Sequence, residues 1–395
     1  MALYRVLPLA TLLAITGCGT STRPTNGEPG IDERTITGTV LGEPYAVAYA
    51  DPVDRDLHAA FDSLAEVLTR SLSPMDSASA LNTFNRLGAA VASSADPHLT
   101  ECMRLAKGLT LMTRGAFDAT CWPLDRAWRT ARARNTTLDP VQAADLRTLG
   151  GVAHVQVQGE GADAHLVKTD DRAGAVLGAM MRGYCVDRMA DLLMDRGVPT
   201  YRIDMGPLHT VHGAKGRVVE GAAPADSLRL LNRSMATARA GDRYDPRTGA
   251  AVANGIRSAT VIHDRCVAAE AIANALVVMG PNTAKAWLAQ VPRVQAAIVI
   301  SDGRGAERSW GTFDWPGRTD ERTRRLPTDA LLRSSSDSLG TADSVLKAPT
   351  AAELRNARKA PLIQAELDRM SGKADSIKKA EAGKKKELRP SVQGH

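Results

Sequence analysis

The sequence predicts an α+β fold, and three observations carry that prediction. Strand-like and helix-like stretches alternate from Arg34 to about Trp315. Gly and Pro turn signals separate short apolar runs in the manner of hairpins. The apolar fraction is 44% of 395 residues, ample for a buried core in one large or two ordinary domains. Thr35 to Tyr49 reads as strand, turn, strand, broken at Gly42 and Pro44. Arg55 to Leu72 places Leu57, Phe61, Leu64, Leu68 and Leu72 on one helix face. Val152 to Val157 alternates like a half-buried strand, with Gly159-Glu160-Gly161 as its hairpin turn. Tyr184 to Arg196 reads as a helix closed by Gly197 and Pro199. Ala259 to Ile262 reads as a strand, and Cys266 to Met279 as a buried helix stopped by Gly280-Pro281.

The two ends have a different character. Arg5 followed by the apolar stretch Val6 to Ile15 has the form of an export signal, too short to span a bilayer. It leads into Ile15-Thr16-Gly17-Cys18, which resembles a bacterial lipobox, so residues 1–18 are expected to be a signal and Cys18 a lipidation site. Residues 19–33, rich in Thr, Gly and Pro, suit a flexible stalk. Lipidation implies attachment to the periplasmic face of a bacterial membrane, and Gly19 after Cys18 favours the outer one. Beyond Trp315 no Phe, Tyr or Trp follows, so 316–395 is expected to be a charged, largely disordered tail. Eleven basic and six acidic residues within 351–395 account for most of the net charge of +6. The body is thus nearly neutral, and with only 4% aromatics it offers no case for nucleic-acid binding. Cys102, Cys121, Cys185 and Cys266 lack metal-binding spacing, and buried unpaired thiols are the default expectation. His209 and His212, three apart on a strand, face opposite sides and make a poor metal pair. The basic run 321–325 reads as a solvated junction.

Six segments carry a resemblance. Gly38-Thr39-Val40-Leu41-Gly42 with Tyr45 is similar to GTxMGTxY, and Ser73 to Asn85 to STYxxxSELSxFN with Ala80 in place of Glu. Gly115 to Thr120 with Pro123-Leu124 and Trp128 follows GAFDPTVGPLVxLW, and Gly178 to Val198 follows GxIAKGYAVDRVADLLxxxGV. Asp245 to Gly249 is DPRTG, and Ala269 to Gly280 is similar to ADALATALxVMG. In this order and spacing they resemble the ApbE family of FAD:protein FMN transferases. That resemblance implies a mixed α/β body over 34–315 with antiparallel sheets and packed helices. It also implies Mg²⁺-dependent transfer of FMN from FAD to a Thr or Ser hydroxyl of a target protein, with release of AMP.

The resemblance carries site residues over by position. FAD contacts fall at Leu41, Met75, Ala116, Phe117, Asp118, Arg182 and Val252. Mg²⁺ falls to the Ala179 carbonyl and to Glu270 and Asn274, which share a helix face at i, i+4. Ala273 replaces an Asp of the family, Val176 another, and Arg182 stands for its Lys. The family's His-Ile-Ile ahead of Asp-Pro is met by Asp242-Arg243-Tyr244, which leaves Asp242 as proton acceptor. Pro207 lacks an N–H that a phosphate could use. The alternatives are a non-catalytic FAD-binding lipoprotein of the same fold, or a scaffold working through its stalk or tail.

Overall fold

Strands β1 (Glu33–Val40) and β2 (Glu43–Ala50) form the predicted hairpin, joined through Leu41 and Gly42, both at positive φ. They belong to a computed structural model that describes residues 33–312 apart from 52, 54, 215, 220–227, 292 and 302–306. The export signal with Cys18, the stalk except Glu33, which opens β1, the tail and the run 321–325 lie outside the described residues. Helix α1 (His58–Leu72) buries Phe61, Leu68 and Leu72 on the predicted face. It begins three residues later than predicted, because the Asp51 carboxylate holds the N–H groups of Val53 and Arg55 in a loop. Helices α2 (Ala80–Arg86), α3 (Pro97–Met112), α4 (Trp122–Ala133) and α5 (Pro140–Arg147) follow. Ser79, Asp96 and Asp139 cap three of them through side-chain oxygens.

The small hairpin β3 (Val155–Gln158) and β4 (His165–Lys168) comes next. It starts later than predicted because Gly151, at positive φ, makes a turn closed by the His154 N–H. Helix α6 (Met181–Asp195) precedes β5 (Thr200–Met205), β6 (Leu208–His212), β7 (Arg217–Val219), β8 (Leu228–Leu230) and β9 (Arg233–Arg239). Then come β10 (Ile256–His263), α7 (Cys266–Met279), α8 (Pro281–Leu288), β11 (Gln295–Ser301) and β12 (Glu307–Gly311). One eight-stranded sheet runs β1-β2-β5-β6-β9-β10-β11-β12, with every neighbouring pair antiparallel. Among the described residues no helix is long and apolar enough to cross a membrane.

Helix α7 is the centre of this body. It packs on β9, β10 and α6, and every residue of it but Val278 is buried. Its start is capped from another helix: the Asp187 carboxylate on α6 accepts the N–H groups of Cys266 (2.8 Å) and Val267 (3.0 Å). The two helices approach so closely that a Cβ on Gly183 would stand 2.6 Å from the Cys266 carbonyl oxygen. Gly183 and Asp187, both within a matched segment, therefore form the α6–α7 seam. Asn85, the last residue of another, exchanges two hydrogen bonds with the Ala175 backbone. In Asp245 to Gly249 the Asp245 carbonyl accepts from Thr248 and Gly249, while the Trp128 indole donates to the Gly249 carbonyl. These stretches build the fold before they build any site.

The four cysteines are free and buried. His209 pairs with Asp204, and the His212 ring contacts the Pro199 carbonyl and stacks on Tyr201. The two histidines share no partner.

Gly183→Ala should lower stability by roughly 1–3 kcal/mol through overpacking, whereas Gly178→Ala, with open space at its Cβ, should stay within about 0.5. Urea unfolding measures both, and equal losses would refute the seam. His263, buried with its ring accepting the Arg265 N–H, has its pKa pushed down to about 4 by burial. An unfolded histidine titrates near 6.5, so the unfolded chain takes the proton first. The neutral ring's contribution is present above that pH and is lost as pH falls towards 4, by up to roughly 3 kcal/mol. His263→Asn should flatten that part of the stability–pH curve measured by urea titration; an unaltered slope would exclude His263 as its source.

Candidate active site

Two polar residues, Glu270 and Asn274, interrupt the apolar surface of α7 one turn apart. Burial of a carboxylate requires partners, and Glu270, 2% exposed, has two. Its Oε2 accepts the Gly183 N–H at 2.8 Å, and its Oε1 accepts from Arg182 Nε at 3.0 Å. Burial raises its pKa, and the Arg182 charge and these hydrogen bonds oppose that rise. Asn274 donates from Nδ2 to the Glu270 carbonyl (2.8 Å) and to the Ala179 carbonyl (3.2 Å). Its Oδ1 accepts from Arg243 Nη1 at 2.6 Å. Arg243 is held a second time, by Nε donation to the Arg239 carbonyl at the end of β9. Reversing the Asn274 amide would set its oxygen against two carbonyls and its NH₂ against a guanidinium, so its partners fix its orientation.

Two cavities open on this group. One, of about 210 Å³, is lined by Arg182, Pro207, Thr237, Arg243, Glu270, Ala273 and Asn274. The other, of about 190 Å³, is lined by Ala116, Phe117, Asp118, Val176, Ala179, Asp242, Arg243 and Asn274. Arg243 and Asn274 form the wall between them. Asp118 accepts from the backbone and hydroxyl of Thr120, and its burial raises its pKa. Arg243 is pushed down chiefly by burial and then by Arg182; a guanidinium nevertheless keeps its proton.

The expected residues thus fall into two sets. Ala116, Phe117, Asp118, Ala179, Arg182, Asp242, Glu270 and Asn274 line these adjoining cavities. Leu41, Met75 and Val252 line neither. Leu41 is buried at the β1–β2 turn, Met75 is 85% exposed on the loop before α2, and the Val252 N–H donates to the Arg243 carbonyl. Asp242 is exposed on the turn after β9.

The family model described as the ApbE family matches residues 41–298. The chain belongs to the ApbE family. A FAD:protein FMN transferase of Vibrio cholerae is 23% identical over 329 residues, covering 76% of this chain and 94% of that protein. One of Klebsiella pneumoniae is 23% identical over 338 residues, covering 77% and 94%. The apo crystal structure of the Pseudomonas stutzeri flavinyl transferase ApbE shares the fold, with a TM-score of 0.64 at 23% identity. That likeness covers 70% of this chain and 94% of the other.

The Mg²⁺ expected in an ApbE family member meets a donor set here that does not fit it. Ala179, Glu270 and Asn274 converge as expected, but Asn274 turns its NH₂, not its oxygen, toward the Ala179 carbonyl. Its oxygen and both Glu270 oxygens face N–H donors, two of them guanidiniums. Mg²⁺ requires near-octahedral oxygens at about 2.0–2.1 Å, and cations already stand where the lone pairs point. Among the described residues no three His, Cys, Asp or Glu side chains gather as a metal-holding group. Arg243 is the residue that sequence reasoning passed over. Its signal was a charged residue at the first Ile of the family's His-Ile-Ile.

On the metal reading, shortening Glu270 would improve the site. These contacts predict the reverse. Glu270→Asp should lose about 1–3 kcal/mol in urea unfolding, since the shorter carboxylate cannot reach both the Gly183 N–H and Arg182. A variant as stable as the parent would show that the two contacts hold nothing.

Proposed function

We propose that this chain transfers the FMN half of FAD to a Thr or Ser hydroxyl of an acceptor protein and releases AMP. One observation carries the reading. The family positions 116–118, 179, 182, 270 and 274 come together around two adjoining cavities, although they lie far apart in sequence. The names of the similar proteins supply the reaction, FMN transfer from FAD to protein. In it the acceptor oxygen attacks the FMN-side phosphorus, and the bond from that phosphorus to the bridging oxygen breaks. AMP leaves with the bridging oxygen, and the hydroxyl proton passes to a base or to water. Magnesium has no part in this reading, because the donor set does not fit it.

Asp242 lines the cavity beside Phe117 and Asp118, and in this reading it takes the hydroxyl proton. A carboxylate is in general a weaker base than an imidazole, which makes for slow transfer. The reading also includes export and attachment at the periplasmic face of the outer membrane through a lipidated Cys18. There the stalk 19–33 gives the body reach toward an exported acceptor. The lipobox-like Ile15 to Cys18 supports this part.

Incubating the full chain with FAD and a Thr-bearing acceptor peptide should yield AMP and a peptide heavier by one FMN moiety. Asp242→His should speed this at pH 7 by about tenfold or more, since a base with a pKa near the working pH is the better catalyst. Bound FAD without AMP would favour the non-catalytic alternative, and a chain that ignores FAD would exclude both.

A further inference from the structure

On the flavin reading above, on which this inference rests, the negative charge of the FAD diphosphate must be neutralised by the chain. Arg182 and Arg243 both border the cavity of about 210 Å³, and the one carboxylate in its wall, Glu270, is already bonded to Arg182. Arg239 lines it as well, and three arginines against one carboxylate leave this cavity net positive. Such a site attracts an anion and repels a divalent cation.

The two arginines are also held in place. Arg182 is fixed by Glu270, and Arg243 by Asn274 and the Arg239 carbonyl. A guanidinium carries five N–H donors in a planar fork that matches phosphate oxygens in pairs. The bonds just named engage one donor of Arg182 and two of Arg243. Between them, Asn274 donates to the Ala179 carbonyl and accepts from Arg243.

We infer that Arg243, with Arg182, takes the place of a divalent cation and binds the diphosphate of the dinucleotide without metal. The amide of Asn274 then acts as a positioning group for Arg243 rather than as a metal ligand. Glu270 serves Arg182 in the same way. The ligand class is a nucleoside diphosphate ester, with the charge of its two phosphates met by the two forks.

The test is a binding measurement on the full chain, by flavin fluorescence and calorimetry, in EDTA and in excess Mg²⁺ at matched ionic strength. FAD affinity should differ by less than about twofold between the two conditions, and Mg²⁺ alone should give no binding heat. ADP should displace FAD equally well in both. Arg243→Met should weaken FAD in EDTA by about tenfold or more, the usual effect of losing a charged hydrogen bond to phosphate. Arg243→Lys should recover part of that loss, and circular dichroism reports whether either variant is folded. If Arg243→Met misfolds, Arg243→Lys and the comparison of EDTA with Mg²⁺ still decide. FAD binding that requires Mg²⁺, or a folded Arg243→Met with parental affinity in EDTA, would overturn the arginine assignment and leave the flavin reading standing. Failure to bind FAD in either condition would overturn the flavin reading itself.

Discussion

The constraint on which the rest of this structure depends is the seam between α6 and α7. An almost wholly buried helix can stand at the centre of the body only if its first N–H groups and its one carboxylate find partners away from water. Asp187 supplies the first and the Gly183 N–H, with Arg182, the second. Both sets come from α6, and both require the close approach that Gly183 permits. The seam also aims the chemistry. It holds the Glu270–Asn274 face of α7 against the 179 turn, and it fixes Arg182 in the lining of a cavity.

The charges around that face follow from single changes of residue type. With an acidic residue and a hydroxyl at the two helix positions, carbonyl and side-chain oxygens could share one hard cation. With Asn at 274, an amide offers both a donor and an acceptor, and it uses the donor on the Ala179 carbonyl. The acceptor then faces outward and finds Arg243. Arg182 in place of a lysine spreads its charge over a planar fork. The outcome is a site whose positive charge is carried by side chains tied to the fold.

Asp242 and Arg243 occupy adjacent positions that both line the cavity beside Phe117. They follow β9 directly, in the short connection ahead of the Asp245 turn. The main-chain bond from Val252 to Arg243 closes this connection, so both side chains reach the cavity beside Phe117 from one edge. Trp128 stacks on Tyr244 and ties the same turn to α4. The connection is short, yet it is braced on both sides.

Periodicity determined much of the body by itself. The β1–β2 hairpin, the Leu stripe of α1 and the full span of α7 follow from spacings of two and 3.6 residues and from Gly-Pro stops. Their boundaries moved where a side chain captured the backbone, as Asp51 does before α1. The order of the eight-stranded sheet was beyond sequence, because it depends on pairings between distant segments. Motif matching located the site residues along the chain but not their roles: Gly183 and Asp187 proved to hold helices together, and Met75 stands exposed away from both cavities. Only tertiary structure could decide what Glu270 and Asn274 bind. Oxygen donors four residues apart share a helix face by local geometry alone. What meets them is set by segments about 30 and 90 residues away, which bring guanidiniums to the place a metal would need.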